Sequence, residues 1–193
     1  MENLVIKRKQ FQVVEQLGEH SYLATYKNKK YFVKKFNDKD TFVRFMIQSK
    51  KINGSGVTSP KIKLYDKKDL YFVAEYLDGK TVMDMLVEGN LKEDIYNQLF
   101  QQFWYAKADR VGLDYRTDNW KYINGKLYYL PFVYGEYAGK DIFLKEQIHQ
   151  WFYSNEFANY MKEKGLEPDP SRLPNEYELN RSVTLMSVKY YRG

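Results

Sequence analysis

The chain has 193 residues, 44% of them hydrophobic and 29% charged, which suits a soluble globular protein with one sizeable core or two small lobes. It has no cysteine and only two histidines, His20 and His149, which excludes a disulfide framework and a zinc site of cysteines and histidines. The net charge of +6 favours an anionic partner, but the lysines are spread along the chain rather than gathered, so nucleic acid is a minor expectation.

At the N-terminus, MENLVIKRKQ has no apolar run of signal-peptide length. No stretch approaches about 18 uninterrupted apolar residues, so the expectations are a cytoplasmic location and no membrane partner. Three strands follow: Phe11 to Leu17, Ser21 to Lys27 and Lys30 to Phe36, an antiparallel meander. A helix starts near Asp38 or Asp40, carries Phe42, Phe45, Met46 and Ser49 at helical spacing, and ends at Asn53-Gly54-Ser55-Gly56. Lys61 to Asp66 and Leu70 to Tyr76 form a second hairpin, and Asp78-Gly79 breaks it. Thr81 begins a new element. Leu91 to Ala108 bears Ile95, Leu99, Phe100, Phe103 and Ala106 on one stripe, the pattern of a core-facing helix.

Residues 111–133 read as a polar loop and a hairpin. Asp114 and Asn119 lie five positions apart, and the strands Trp120 to Ile123 and Lys126 to Leu130 meet at Asn124-Gly125, a pair suited to a type I′ turn. The pattern then turns helical, over Asp141 to Lys164 and again over about Glu176 to Tyr191. Five strands with one helix inserted, followed by helices with one hairpin, make an α+β, two-lobed arrangement.

In order and spacing, five segments of residues 10–133 resemble the protein-kinase-like superfamily. The likeness is to its small, minimal members, such as the RIO kinases, the lipopolysaccharide-core kinases and the kinase of the tRNA threonylcarbamoylation complex. LGEHSYLATYK has the place of the glycine-rich phosphate loop, with Gly18 kept and His20 and Leu23 at the other two glycine positions. YFVKKF is similar to the strand that carries the phosphate-contacting lysine, which puts that role on Lys34. LYFVAEYLDGKTVMDML looks like the last strand of the first lobe and the hinge, where the backbone at Glu75, Tyr76 and Leu77 would hold adenine. In the catalytic loop, the resemblance gives Asp114 the acceptor hydroxyl, Arg116 the transferred phosphoryl group and Asn119 a magnesium ion. LYYLPFV covers the second metal-binding aspartate, whose place is taken by Pro131.

The resemblance implies a protein-kinase-like fold with an antiparallel five-stranded N-lobe over residues 1–78 and a small, mainly helical C-lobe over residues 79–193. It implies ATP and Mg²⁺ as ligands, with Glu136, five residues after Pro131, the candidate to stand in for the lost aspartate. The glutamate that would pair with Lys34 is also missing, because no Glu occurs between His20 and Ala74. Two functions therefore stay open: an ATP-dependent phosphotransferase acting on a hydroxyl of a protein or small molecule, and a pseudokinase that regulates or scaffolds a protein partner. A basic accessory that binds RNA is a third.

Overall fold

Alternation of apolar and polar residues up to Glu75 builds one curled antiparallel sheet. The computed structural model describes residues 3–130, 137, 143 and 147–190. The strands are β1 (Asn3–Ile6), β2 (Lys9–Gly18), β3 (Ser21–Tyr26), β4 (Lys29–Lys35), β5 (Ile62–Asp66) and β6 (Tyr71–Glu75), in the order β1-β2-β3-β4-β6-β5. The sheet thus has six strands where the sequence predicts five. The additional strand, β1, is joined to β2 through Lys7 and Arg8, both at positive φ (47° and 64°), a turn made without the Asn or Gly that usually marks it.

Both faces of the sheet are buried. On one, Phe32, Phe72 and Ala74 pack against Phe42 and Phe45 of helix α1 (Lys39–Gly54), whose first turn is capped by Asp38 accepting from the Thr41 N–H at 2.7 Å. On the other, Leu4 and Ile6 of β1 close over Phe11, Ala24, Val33 and Val73. Each fully buried Phe, Ile or Val contributes about 1.5–3 kcal/mol. The register pairs Phe32 with Ala74 and Lys34 with Phe72, so Phe32 and Lys34 share the α1 face and Lys35 points the other way.

Beyond β6 the chain is helical. A capping box at Thr81 and Asp84 starts α2 (Val82–Glu88), and α3 (Glu93–Ala108) buries the predicted stripe. A 3₁₀ turn (Thr117–Asn119) leads into the hairpin β7 (Trp120–Ile123) and β8 (Lys126–Tyr129), whose turn residues Asn124 and Gly125 have φ of 50° and 77°. Of the helix predicted over 141–164, residues 141, 142 and 144–146 lie outside the described residues, and the part from Ile148 onward is broken. A 3₁₀ turn at Ile148–Trp151 is followed by Ser154, whose hydroxyl accepts from the Phe157 N–H and starts α4 only at Asn155–Glu163. Last comes α5 (Glu176–Tyr190), which rests on the core through Val183, Met186 and Tyr190 and buries no residue fully.

The largest core lies in this second half, around Trp120, Trp151, Leu99, Phe100 and Phe157, and it includes Ile52 of the last turn of α1 and Val57 just beyond it. α1 therefore belongs to both cores and ties the sheet to the helices. The fold is mixed α+β. Among the described residues no helix is long and apolar enough to cross a membrane.

Candidate functional site

Sheet and helices meet at a cleft of about 330 Å³, within the range of small-molecule sites. The end of β2 and start of β3 give Leu17, Gly18 and Ser21, and β4 gives Phe32. The end of β6 gives Glu75 and the segment after it Tyr76 and Leu77, while Asp118, Asn119, Lys121 and Leu130 form the opposite side. Five residues singled out in the sequence, Gly18, Glu75, Tyr76, Leu77 and Asn119, thus border one cavity although they span about half of the chain. The cleft walls do not include Asp114, Arg116 or Lys34.

β7 lies against the segment after β6 because Gly79 lets it. A Cβ there would sit 3.0 Å from Ile123 Cγ1, and its φ of 148° is one that side chains rarely allow. Two residues on, Thr81 bridges to Lys121. The Lys121 ammonium donates to the Leu77 carbonyl at 2.9 Å and stands 5.1 Å from the centre of the Tyr76 ring. Burial lowers its pKa, against the opposing attraction of Asp78 and Asp84. The main-chain acceptor expected to face an adenine at Leu77 is therefore engaged by a lysine.

The 114–119 loop is held from several sides. Asp114 N–H donates to the Tyr129 hydroxyl (3.1 Å), Trp120 Nε1 to the Asp114 carbonyl (3.1 Å) and Trp151 Nε1 to the Tyr115 carbonyl (2.8 Å). Behind it, Gln98 and Gln102, one turn apart on α3, bond the backbone of the hairpin. Gln98 accepts from Leu127 N–H (2.8 Å) and donates to the Gly125 carbonyl, and Gln102 donates to the Leu127 carbonyl (2.6 Å). Burial pushes the Tyr129 phenol up, against the lowering effect of the Asp114 N–H from which it accepts.

Asp114 is not presented to the cleft as a free carboxylate. Both its oxygens accept from Arg116 Nε (3.0 and 2.9 Å), and one also accepts from the Arg116 N–H at 3.1 Å. The pairing raises the Arg116 pKa. Asp118 pairs with Lys164 at 2.8 Å, beside Tyr160, whose phenol burial pushes up to about 12. Asn119 is 7% exposed and its Nδ2 has no hydrogen-bond partner among the described residues. The same is true of Thr117 Oγ1.

Lys34 lies on the α1 side of the sheet, its ammonium 5.5 Å from the Phe36 ring centre and 5.6 Å from that of Phe45. Desolvation lowers its pKa, and no carboxylate pairs with it among the described residues. The glutamate missing from the sequence is thus replaced by two aromatic faces. The loop expected to cradle phosphate is a two-residue turn, Glu19-His20, between the paired Gly18 and Ser21, and Leu23 is buried within β3. A Cβ on Gly18 would meet nothing within 4 Å.

Magnesium needs oxygen ligands, commonly one or two carboxylates besides the phosphates. The described residues contain no group of three or more His, Asp or Glu, and Asp118 is held by Lys164. Glu136 and Pro131 lie outside the described residues. These side chains therefore do not amount to a metal clamp. Sequence reasoning also missed Lys121, Gln98 and Gln102. Lys121 alternates with Trp120 and Tyr122 as an outward strand residue would, whereas Gln102 carries a signal, a polar residue inside an apolar helical stripe. The sequence matches no protein-family model and no curated protein.

Proposed function

We propose that the chain is a nucleotide-binding protein of protein-kinase-like plan, with lobes at residues 1–78 and 79–193, that regulates or scaffolds a protein partner rather than transferring phosphate. The observation that carries this is the convergence of Gly18, Glu75, Leu77 and Asn119 on one cleft with apolar walls at Leu17, Phe32 and Leu130. Such walls suit a planar base, and the segment at Glu75 to Leu77 suits its edge. Against turnover stand the closed Asp114–Arg116 pair, the turn in place of a phosphate loop, Lys34 enclosed by aromatic rings, and Pro131, which has no ligand atom for the metal that ATP brings.

Thermal-shift and calorimetric titration with nucleoside di- and triphosphates, with and without Mg²⁺, tests this. Saturable binding is expected, adding about 2.7 kcal/mol of stability at 100 times the Kd. Magnesium should change the affinity by less than about threefold. Release of phosphate from the triphosphate should not exceed that of buffer. No stabilisation at millimolar nucleotide overturns the proposal. Turnover that Asp114→Ala abolishes would establish the phosphotransferase instead, with Asp114 orienting the acceptor hydroxyl.

A further inference from the structure

We infer that the end of the sheet formed by the β1–β2 and β3–β4 turns binds the backbone of a single-stranded nucleic acid. The inference goes beyond the nucleotide cleft and does not depend on it. Along the sequence the lysines are spread, but the fold gathers Lys7, Arg8 and Lys9 with Lys27, Lys29 and Lys30. Alternate turns of an antiparallel meander lie at the same end, so Lys7-Arg8 and Lys27-Asn28 share one edge of the sheet and Glu19-His20 lies at the other. All six cations are exposed. Lys30 pairs with Asp78, whereas the other five make no ion pair among the described residues. Neither hairpin supplies an acid near its turn, because no Asp or Glu occurs from Asn3 to Val14 or from His20 to Asn37.

The two hairpins meet at one ring. The Lys9 and Lys27 ammoniums stand 5.8 and 5.6 Å from the centre of Tyr26, and like charges held that near repel each other unless an anion joins them. The turns themselves point the same way. Lys7, Arg8 and Lys27 have φ of 47°, 64° and 49°, a region unfavourable to such side chains. The β7–β8 hairpin makes its reversal with Asn124-Gly125, so the basic residues at these two turns are carried at a local conformational cost. Beside them opens a hollow of about 280 Å³, lined by Asn3, Gln10, Gln12, Thr25 and Asn28 as well as Tyr26 and Lys27. The register sets Asn3, Gln12 and Thr25 in one row across three strands. Side-chain amides and a hydroxyl both donate and accept, which suits the edges of bases and sugars. An unpaired strand presents those edges, while a duplex hides most of them. An anionic membrane would use the charges and leave the amides idle.

Fluorescence anisotropy of a labelled single-stranded RNA of about 12 nucleotides, titrated with the full chain, tests this. With about three to four phosphates neutralised, affinity should fall about 20- to 50-fold between about 50 and about 200 mM salt. Arg8→Glu and Lys27→Glu, one on each turn, should each weaken binding. Together they should weaken it about tenfold or more at the lower salt and make the salt dependence shallower. Both side chains are exposed and make no ion pair among the described residues, so the urea midpoint of the double variant should match wild type. Lys67→Glu with Lys68→Glu makes the same change of charge at the β5–β6 turn, at the opposite end of the sheet, and should alter affinity less than about threefold. Equal losses in the two double variants would trace binding to net charge and overturn the site. So would capture of vesicles rich in phosphatidylserine without binding of the strand, and so would displacement of the strand by excess ADP, which places it in the cleft. A duplex of the same sequence bound as tightly overturns the choice of a single strand. No binding at the lower salt overturns the inference and leaves the nucleotide proposal untouched.

Discussion

Two adjacent halves of one loop, residues 114–116 and 117–119, satisfy their polar groups in opposite ways. In the first, the Asp114 carboxylate is saturated by Arg116, and the Asp114 N–H, Asp114 carbonyl and Tyr115 carbonyl all have partners in the aromatic core. In the second, Thr117 Oγ1 and Asn119 Nδ2 are buried with no partner among the described residues, and Asn119 faces the cleft. Leaving a buried donor unpaired costs about 1–3 kcal/mol. The same few residues thus include a part closed on itself and a part left open, and the open part is the one at the cavity.

The closed half depends most on Trp120. Its ring is fully buried, stacks on Tyr115 at 5.8 Å and lies 4.9 Å from Tyr129 and 5.5 Å from Trp151, while its Nε1 holds the Asp114 carbonyl. Trp120→Ala should lower stability by about 3–5 kcal/mol in urea denaturation, through the cavity and the lost hydrogen bond together. A loss under about 1 kcal/mol would mean that the loop is not fixed by this core at all, and the contrast between its halves would disappear.

The contrast itself is sharpened by a pair of variants. Asp114→Asn removes a charged acceptor from Arg116 and should cost about 1–2 kcal/mol, at the low end of a charged hydrogen-bond pair because the Arg116 side chain is 41% exposed and can be rehydrated. Nucleotide affinity should stay within about twofold. Asn119→Ala should do the reverse. It has no side-chain N–H bond to lose, so stability should change by less than about 1 kcal/mol, while affinity falls about five- to tenfold. Equal effects of the two variants on binding would show that the halves are not functionally distinct.

Much of this arrangement was legible in the sequence, and what was hidden shares a cause. The β7–β8 hairpin followed from alternation and Asn124-Gly125, and α1 from a cap at Asp38 or Asp40 and its apolar spacing, because those signals are local. Strand β1 was hidden by a turn of Lys7 and Arg8, residues with no preference for positive φ. The break at Ser154 was hidden because the apolar residues before and after it keep a helical spacing while the capping hydroxyl interrupts the chain. At the cleft, the convergence of Gly18, Glu75, Leu77 and Asn119 was an expectation drawn from the order of the segments. The closure of Asp114 by Arg116, two residues away, was not, because sequence spacing alone cannot tell a pair aimed at a ligand from a pair aimed at each other. Lys121 was invisible for a related reason, since its partner is a backbone carbonyl 44 residues away.

Lys34 carries the comparison across the sheet, where a polar group has no carboxylate partner among the described residues and does not border the cleft. Were an unpaired polar group alone the mark of a ligand, Lys34 would matter to binding as Asn119 does. Its ammonium is desolvated between Phe36 and Phe45, and the attraction of the two rings offsets only part of that cost. Lys34→Met keeps the volume, removes the charge and should stabilise the protein by about 1 kcal/mol at neutral pH, with nucleotide affinity within about twofold of wild type. The pH dependence gives the cause. Burial lowers the folded-state pKa below the ordinary 10.5, so the unfolded chain binds the proton more tightly. The penalty on wild type is therefore complete below the folded pKa and fades as the pH rises from there to 10.5, and the advantage of Lys34→Met should fade over the same interval. Urea denaturation of both proteins at a series of pH values measures this. An advantage constant with pH would trace to packing rather than charge. A loss of affinity in Lys34→Met would place the lysine on the phosphates after all and make the absence of a partner, rather than position at the cleft, the better guide to where this protein meets its ligand.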